Sequence, residues 1–172
     1  MLTRRLWTAL ALAFALAFLV QATPADAQCL YHYGTEGNDV LTGTSGCDYI
    51  YGYGGDDTIS GLDGNDSIYA GTGADTANGG NQHDYIDGWT ENDDIQGGFG
   101  IDTCLGYSGN DEISGHRGTD SLYGEGEHDT IFGGGENDFL SGGFGTDYLD
   151  GGTESDTCRE GETYVSCETI QF

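Results

Sequence analysis

The sequence predicts an all-β solenoid: short strands wind through about seven two-repeat coils and stack into two facing parallel sheets. Three observations predict it. A nine-residue period runs from Gly34 to Arg159 without insertion or deletion, which makes 14 repeats. Position six of the repeat is aspartate in all 14, and position eight is Ile or Leu in 11. Glycine fills position one in 13 repeats and position four in nine.

The first 27 residues read as an address rather than as fold. Arg4 and Arg5 form a positive start, and an apolar run follows from Ala9 to Val20. That run is too short to span a bilayer. Ala25-Asp26-Ala27 then supplies a small-x-small cleavage site. Residues 1–27 are therefore expected to be a cleaved signal peptide, leaving a mature chain from Gln28 with no membrane span. Residues 28–33 form an N-terminal cap, 34–159 the repeats and 160–172 a C-terminal cap.

Within the repeats, positions seven to nine read variable, apolar, variable. That is a three-residue strand with one side chain turned inward. The inward residues are Leu41, Ile50, Ile59, Ile68, Ile86, Ile95, Ile113, Leu122, Ile131, Leu140 and Leu149, with Ala77, Cys104 and Cys158 in the other three repeats. Positions one to six are a turn, and glycine at one and four is expected to supply positive φ. One strand and one turn bury nothing alone. Stacked coils turn position eight into a continuous aliphatic ladder. The chain must return over its own start, so two repeats make one coil, and odd and even repeats fall in opposite sheets. At a strand spacing of about 4.8 Å, seven coils make a body about 34 Å long.

That ladder is thin. One buried aliphatic side chain contributes about 1.5–3 kcal/mol, less than the backbone entropy lost in ordering nine residues. Acidity makes the stack harder still. The chain carries 30 Asp+Glu against 4 Lys+Arg, with no lysine and a formal charge of −26. The position-six residues Asp39, Asp48, Asp57, Asp66, Asp75, Asp84, Asp93, Asp102, Asp111, Asp120, Asp129, Asp138, Asp147 and Asp156 would stack in rows. Something positive must bind the turns, and hard carboxylate and carbonyl oxygens suit Ca2+. The same charge excludes nucleic acid and anionic lipid as direct partners. Absent lysine excludes Walker-type phosphate loops and Schiff-base chemistry. A composition so rich in acid and glycine resembles disorder, but 12% aromatic residues and the regular isoleucines oppose that reading.

The repeat resembles G-G-x-G-x-D-x-U-x, the nonapeptide of the repeats-in-toxin (RTX, hemolysin-type) calcium-binding family. GGFGTDYLD (Gly142–Asp150) and GGFGIDTCL (Gly97–Leu105) fit it at nearly every place, and the resemblance spans 126 residues. It implies a parallel β-roll with Ca2+ bound in the turns. Each ion would lie between neighbouring turns of one edge, held by the 14 position-six aspartates and turn carbonyls. Fourteen repeats enclose at most 12 such gaps. Losing Arg4, Arg5 and Asp26 makes the mature charge −27, and 12 divalent ions would bring it to −3. Five repeats depart from the pattern, with Gln82, Glu91, Glu127, Glu136 or Glu154 at position four. The turns at Gln82, Glu91 and Ala70 are expected to be the weakest sites. Many relatives carry a C-terminal secretion signal, whereas this chain opens with a cleavable N-terminal one.

Five cysteines in an exported chain leave at least one unpaired. Cys158 and Cys167 are expected to pair, folding Tyr164, Val165 and Ile170 over the open end of the ladder. Cys29 and Cys47 are expected to staple the other end. Cys104 reads as a buried free thiol.

No enzymatic constellation stands out. The histidines His32, His83, His116 and His128 share no metal-ligand spacing and read as solvated turn residues, and the serine-hydrolase and zinc-protease motifs are absent. The outward positions of the even repeats hold Tyr49, Tyr51, Tyr69, Tyr85, Tyr123 and Phe139, an aromatic face. Those of the odd repeats are mostly small and polar. The reading is a non-enzymatic, secreted (extracellular or periplasmic) calcium-binding protein that folds on Ca2+ and acts as a structural or interaction module. The alternative is an extracellular carbohydrate-binding or carbohydrate-acting (lyase-type) protein that uses the aromatic face on a glycan; a surface protein is the other partner such a face would suit.

Overall fold

The computed structural model describes residues 29–171; the expected signal peptide lies outside them. The first eight strands are β1 (Leu30–Tyr33), β2 (Val40–Thr42), β3 (Asp48–Gly54), β4 (Thr58–Asp63), β5 (Ser67–Thr72), β6 (Thr76–Asn81), β7 (Tyr85–Thr90) and β8 (Asp94–Phe99). There follow β9 (Thr103–Ser108), β10 (Glu112–Arg117), β11 (Ser121–Glu127), β12 (Thr130–Gly135), β13 (Phe139–Gly145), β14 (Tyr148–Gly152), β15 (Thr157–Arg159), β16 (Thr163–Val165) and β17 (Thr169–Gln171). Odd-numbered strands form a nine-stranded sheet and even-numbered strands an eight-stranded one, each in chain order. Each strand pairs in parallel with the one a coil away, as β4 does with β6 and β11 with β13. This is the all-β parallel β-solenoid expected of the nine-residue period. It has about eight turns rather than seven, because β1, β16 and β17 lie outside the repeats and continue the stack.

The strands are longer than expected. Eight of the 17 run six residues, through positions seven to nine and on into positions one to three of the next repeat, and three more run seven. Between β4 and β6, Ser60 pairs with Asn78 and Leu62 with Gly80, while Gly61 and Gly79 between them are skipped. The reason lies at position one, and it differs from the expected one. Position one does not need positive φ. The left-handed residues are at positions two and four, including Tyr53, Leu62, Trp89, Tyr107, His116 and Glu125 at position two. Position one is glycine for space: a Cβ on Gly79 would stand 2.7 Å from the Gly97 carbonyl oxygen and 2.5 Å from Oδ2 of Asp84.

The core is the position-eight ladder. Ile50, Ile68, Ile86, Leu122 and Leu140 from one sheet meet Ile59, Ile95, Ile113, Ile131 and Leu149 from the other, all buried. Disulfides join Cys29 to Cys47 and Cys158 to Cys167, with Cα separations of 4.7 and 5.9 Å. Cys104 is a buried free thiol, and burial pushes its pKa well above the ordinary range. At the C-terminal end Tyr164 packs on the ladder, and its hydroxyl accepts a hydrogen bond from the Gly161 N–H at 2.8 Å. Val165 does not cover the core as expected. It pairs with the outward Asp150 and is itself exposed.

Candidate metal centre along the two edges

Position six immediately precedes each strand, and alternation along the strand puts its side chain on the same side as position eight. Thirteen of the aspartates, Asp48 to Asp156, are accordingly almost fully buried, and Asp39 at the open end is half-buried. The two carboxylate oxygens do different things. From Asp57 onward, Oδ1 accepts the backbone N–H of the aspartate one coil earlier, at 2.7–3.0 Å. Oδ2 of the same 12 residues is buried without any partner.

Unpartnered Oδ2 atoms lie beside position one of their own repeat. In seven repeats, those of Asp57, Asp66, Asp84, Asp120, Asp138, Asp147 and Asp156, a backbone carbonyl of the next coil arrives there too, as Gly97 does beside Asp84 at Gly79. Glycine leaves that space open. A second cradle lies at position four, where a Cβ on Gly64 would be 2.6 Å from the Gly46 carbonyl oxygen and 2.9 Å from Oδ1 of Asp66. Among the described residues no three acids, histidines or cysteines cluster as a side-chain metal site. A cation here must therefore be held by carboxylate and carbonyl oxygens together, the donor set that suits calcium.

Among the described residues no arginine neutralises these rows. Arg117 and Arg159 stack instead over the rings of Phe99 and Phe139, at 5.4 and 5.5 Å. Burial consequently pushes the carboxyls up. Asp93 rises to about 8, Asp84, Asp120 and Asp129 to about 7, and Asp66, Asp75, Asp111 and Asp138 to about 6. Asp57, Asp102, Asp147 and Asp156 are raised for the same reason.

The first two aspartates differ. Oδ2 of Asp39 accepts from the Thr35 N–H and hydroxyl, and Oδ2 of Asp48 from those of Thr44. His32 adds a bond to Oδ1 of Asp48 at 3.0 Å. Burial pushes the Asp48 carboxyl up, but the Thr44 and His32 bonds outweigh it and hold the pKa below the usual range.

Other side chains tie the coils in ways the sequence reading missed. The position-four glutamates Glu91, Glu127 and Glu136 accept the N–H of Gly73, Gly109 and Gly118 one coil back, each at 3.1 Å. At position five, Asn38, Asn65, Asn92, Asn110 and Asn137 accept an N–H from the next coil. His83 and His128 do the same through Nδ1, so these two are exposed turn residues, as expected, that also tie the coils. In the C-terminal cap, Glu162 and Glu168 accept the N–H groups of Asp147 and Asp156 and so end both rows. A signal for them existed. Glu162-Thr-Tyr-Val and Glu168-Thr-Ile-Gln repeat the acid, variable, apolar, variable order, but at a spacing of six that a nine-residue frame passes over.

Parallel coils with buried, unpartnered carboxylate oxygens facing the carbonyls of the next turn define a β-roll, a structural rather than a known catalytic fold. The RTX calcium-binding nonapeptide repeat matches residues 33–68, 60–95, 69–104, 96–131, 105–140 and 123–158, and the chain belongs to that family. The family's repeats bind calcium, and the buried aspartate rows of this chain are consistent with it. No curated protein matches the chain.

Proposed function

We propose that this protein is exported and folds on meeting calcium outside the cell, where the roll serves as a non-enzymatic structural or interaction module. The observation that carries the reading is the set of 12 buried Oδ2 atoms without partners, from Asp57 to Asp156. A buried unsatisfied charge destabilises the metal-free stack. A divalent ion between each Oδ2 and the carbonyls of the next coil removes that cost, so binding free energy becomes folding free energy. All 14 position-six aspartates belong to the proposed site set, with up to about 12 ions between the coils. The unpartnered oxygens number as many as the gaps between repeats. They begin one coil later, at Asp57, and end against the carbonyls of Glu160 and Ser166 in the cap.

Two disulfides indicate an oxidising compartment, and residues 1–27 supply the proposed export signal. Before export, repulsion among 29 acids of the mature chain keeps it unfolded. The carbohydrate reading has less support from the aromatic face. Tyr51 and Tyr69 lie at 5.0 Å and 8°, and Tyr31 and Tyr49 at 5.0 Å and 18°, so these rings cover one another's faces rather than offer them to a sugar.

The test is far-UV circular dichroism of residues 28–172 during a calcium titration. A coil-to-β transition, steep in calcium and absent with magnesium, is expected. A β signal unchanged by complete chelation would show that ladder and disulfides hold the fold alone, and the reading fails.

A further inference from the structure

The aromatic cover of the nine-stranded sheet is interrupted between Tyr53 and Trp89. Position two along this sheet reads Tyr53, Gly71, Trp89 in register across β3, β5 and β7. Gly71 has no side chain, so Tyr53 and Trp89 stand two strand spacings apart, about 9.6 Å, with a slot between them. Tyr51, Tyr69 and Asp87 line the rest of a cleft of about 230 Å³. Tyr53 and Trp89 are about half exposed, at 48% and 55%. Asp87 pairs across the strands with Tyr69 and belongs to neither aspartate row. Its Oδ1 is nevertheless buried without a hydrogen-bond partner. No arginine, lysine or histidine lines the cleft.

We propose that this cleft binds a trimethylammonium group, with Tyr53 and Trp89 on either side of the cation and Asp87 as its counter-ion. A cation centred in the slot lies about 5 Å from each ring, inside the range of about 6 Å over which an aromatic face attracts a cation. The methyl groups cover apolar surface that water now wets, and the positive charge compensates an unpartnered buried oxygen. A neutral sugar presents several hydroxyls, whereas the charged lining here is a single carboxylate. The site rests on the stacked form that calcium is proposed to hold.

The experiment is tryptophan fluorescence and calorimetry of the calcium-loaded protein with choline chloride, and with its uncharged isostere 3,3-dimethylbutanol at equal ionic strength. Phosphatidylcholine vesicles and glucose are the remaining arms. Choline is expected to bind at least tenfold more tightly than dimethylbutanol. Asp87→Asn should weaken choline at least tenfold, and Trp89→Ala should abolish its binding. Circular dichroism in calcium must show that both variants still fold, which separates failure of this site from failure of the calcium reading. Vesicle binding in addition to choline identifies a headgroup as the source; choline alone identifies a free ligand. Equal binding of choline and dimethylbutanol, binding of glucose without choline, an Asp87→Asn protein that binds choline unchanged, or no binding at all would each overturn the proposal.

Discussion

The first two turns of the roll and the twelve that follow are built from one repeat, yet they solve the same electrostatic problem differently. In the turns of Asp39 and Asp48, threonine at position two donates its N–H and hydroxyl to Oδ2. Thr35, Gly37, Thr44 and Gly46 take no positive φ, whereas positions two and four of every later repeat do. From Asp57 onward positions two and four are left-handed, no threonine donor reaches the carboxylate, and Oδ2 has no hydrogen-bond partner; a next-coil carbonyl approaches position one in the first two turns as well. An aspartate that meets donors is self-sufficient. One without donors is left with a buried oxygen that a cation would satisfy. On the proposed reading the N-terminal end closes the roll without metal, while the interior depends on it.

Calcium removal draws the contrast most sharply. On chelation, backbone amides of the interior coils from β6 to β14 should lose hydrogen-exchange protection together. Residual protection should concentrate near β1 and β3, where the Cys29–Cys47 disulfide and the Thr44 and His32 bonds need no ion. Uniform loss along the chain, or none, would erase the distinction between the two kinds of turn.

Acid should partly substitute for calcium in the interior alone. Asp66, Asp75, Asp84, Asp93, Asp111, Asp120, Asp129 and Asp138 have pKa values raised by burial to between about 6 and about 8. In the unfolded chain they titrate near the usual aspartate value of about 4. The metal-free stack therefore binds more protons than the unfolded chain, and its stability falls as pH rises between those values. This contribution is fully present below about pH 4 and is lost as pH climbs through about 6 to about 8. Without calcium, β content should grow as pH is lowered across that window. Asp48, whose pKa is lowered, has the opposite sign and works against the trend at the first coil. A metal-free circular dichroism signal that is flat in pH would contradict the burial of the interior carboxyls.

Single substitutions divide along the same line. Asp102→Asn keeps an acceptor for the Asp84 N–H, bonded at 2.8 Å, but removes the charge at Oδ2. It should remove one or two bound ions and raise the calcium midpoint roughly ten- to hundredfold, as loss of one charge-assisted contact of about 1.5–3 kcal/mol implies. Asp48→Asn should change the midpoint less than about twofold, because its Oδ2 meets donors that an amide oxygen also accepts. Calcium titration by calorimetry distinguishes the two variants.

Much of this was legible in the sequence because the period is strict. Aspartate every nine residues places position six, and the isoleucines at position eight place the core beside it. The function of glycine was legible only in part: position four takes the expected positive φ in seven of its nine glycines, and position one does not. Composition shows that positions one and four are small, but only the approach of the Gly97 carbonyl to Gly79 shows that position one answers to space and position two to φ. Tyr53 and Trp89 were likewise hidden, because position two reads as turn until the strand is seen to continue through it. Glu162 and Glu168 escaped because the period shortens just where the rows must end.

The finest test lies at the one interior repeat whose position one is not glycine. Ala70 is fully buried and sets a methyl group where the other thirteen repeats leave a cradle, next to Asp75 and its unpartnered Oδ2. Ala70→Gly has two opposed effects. It lowers stability without metal by about 0.5–1 kcal/mol, because glycine loses more freedom on folding. With calcium it opens the space that Asp75 shares with the next coil, and binding there should tighten about two- to fivefold, at most about 1 kcal/mol. The two effects separate in one titration: the metal-free variant should melt lower, while its weakest calcium step should move to lower concentration. If that step stays in place, the glycine of position one serves the spacing of the coils rather than the ion, and the Asp75 turn is as competent as its neighbours.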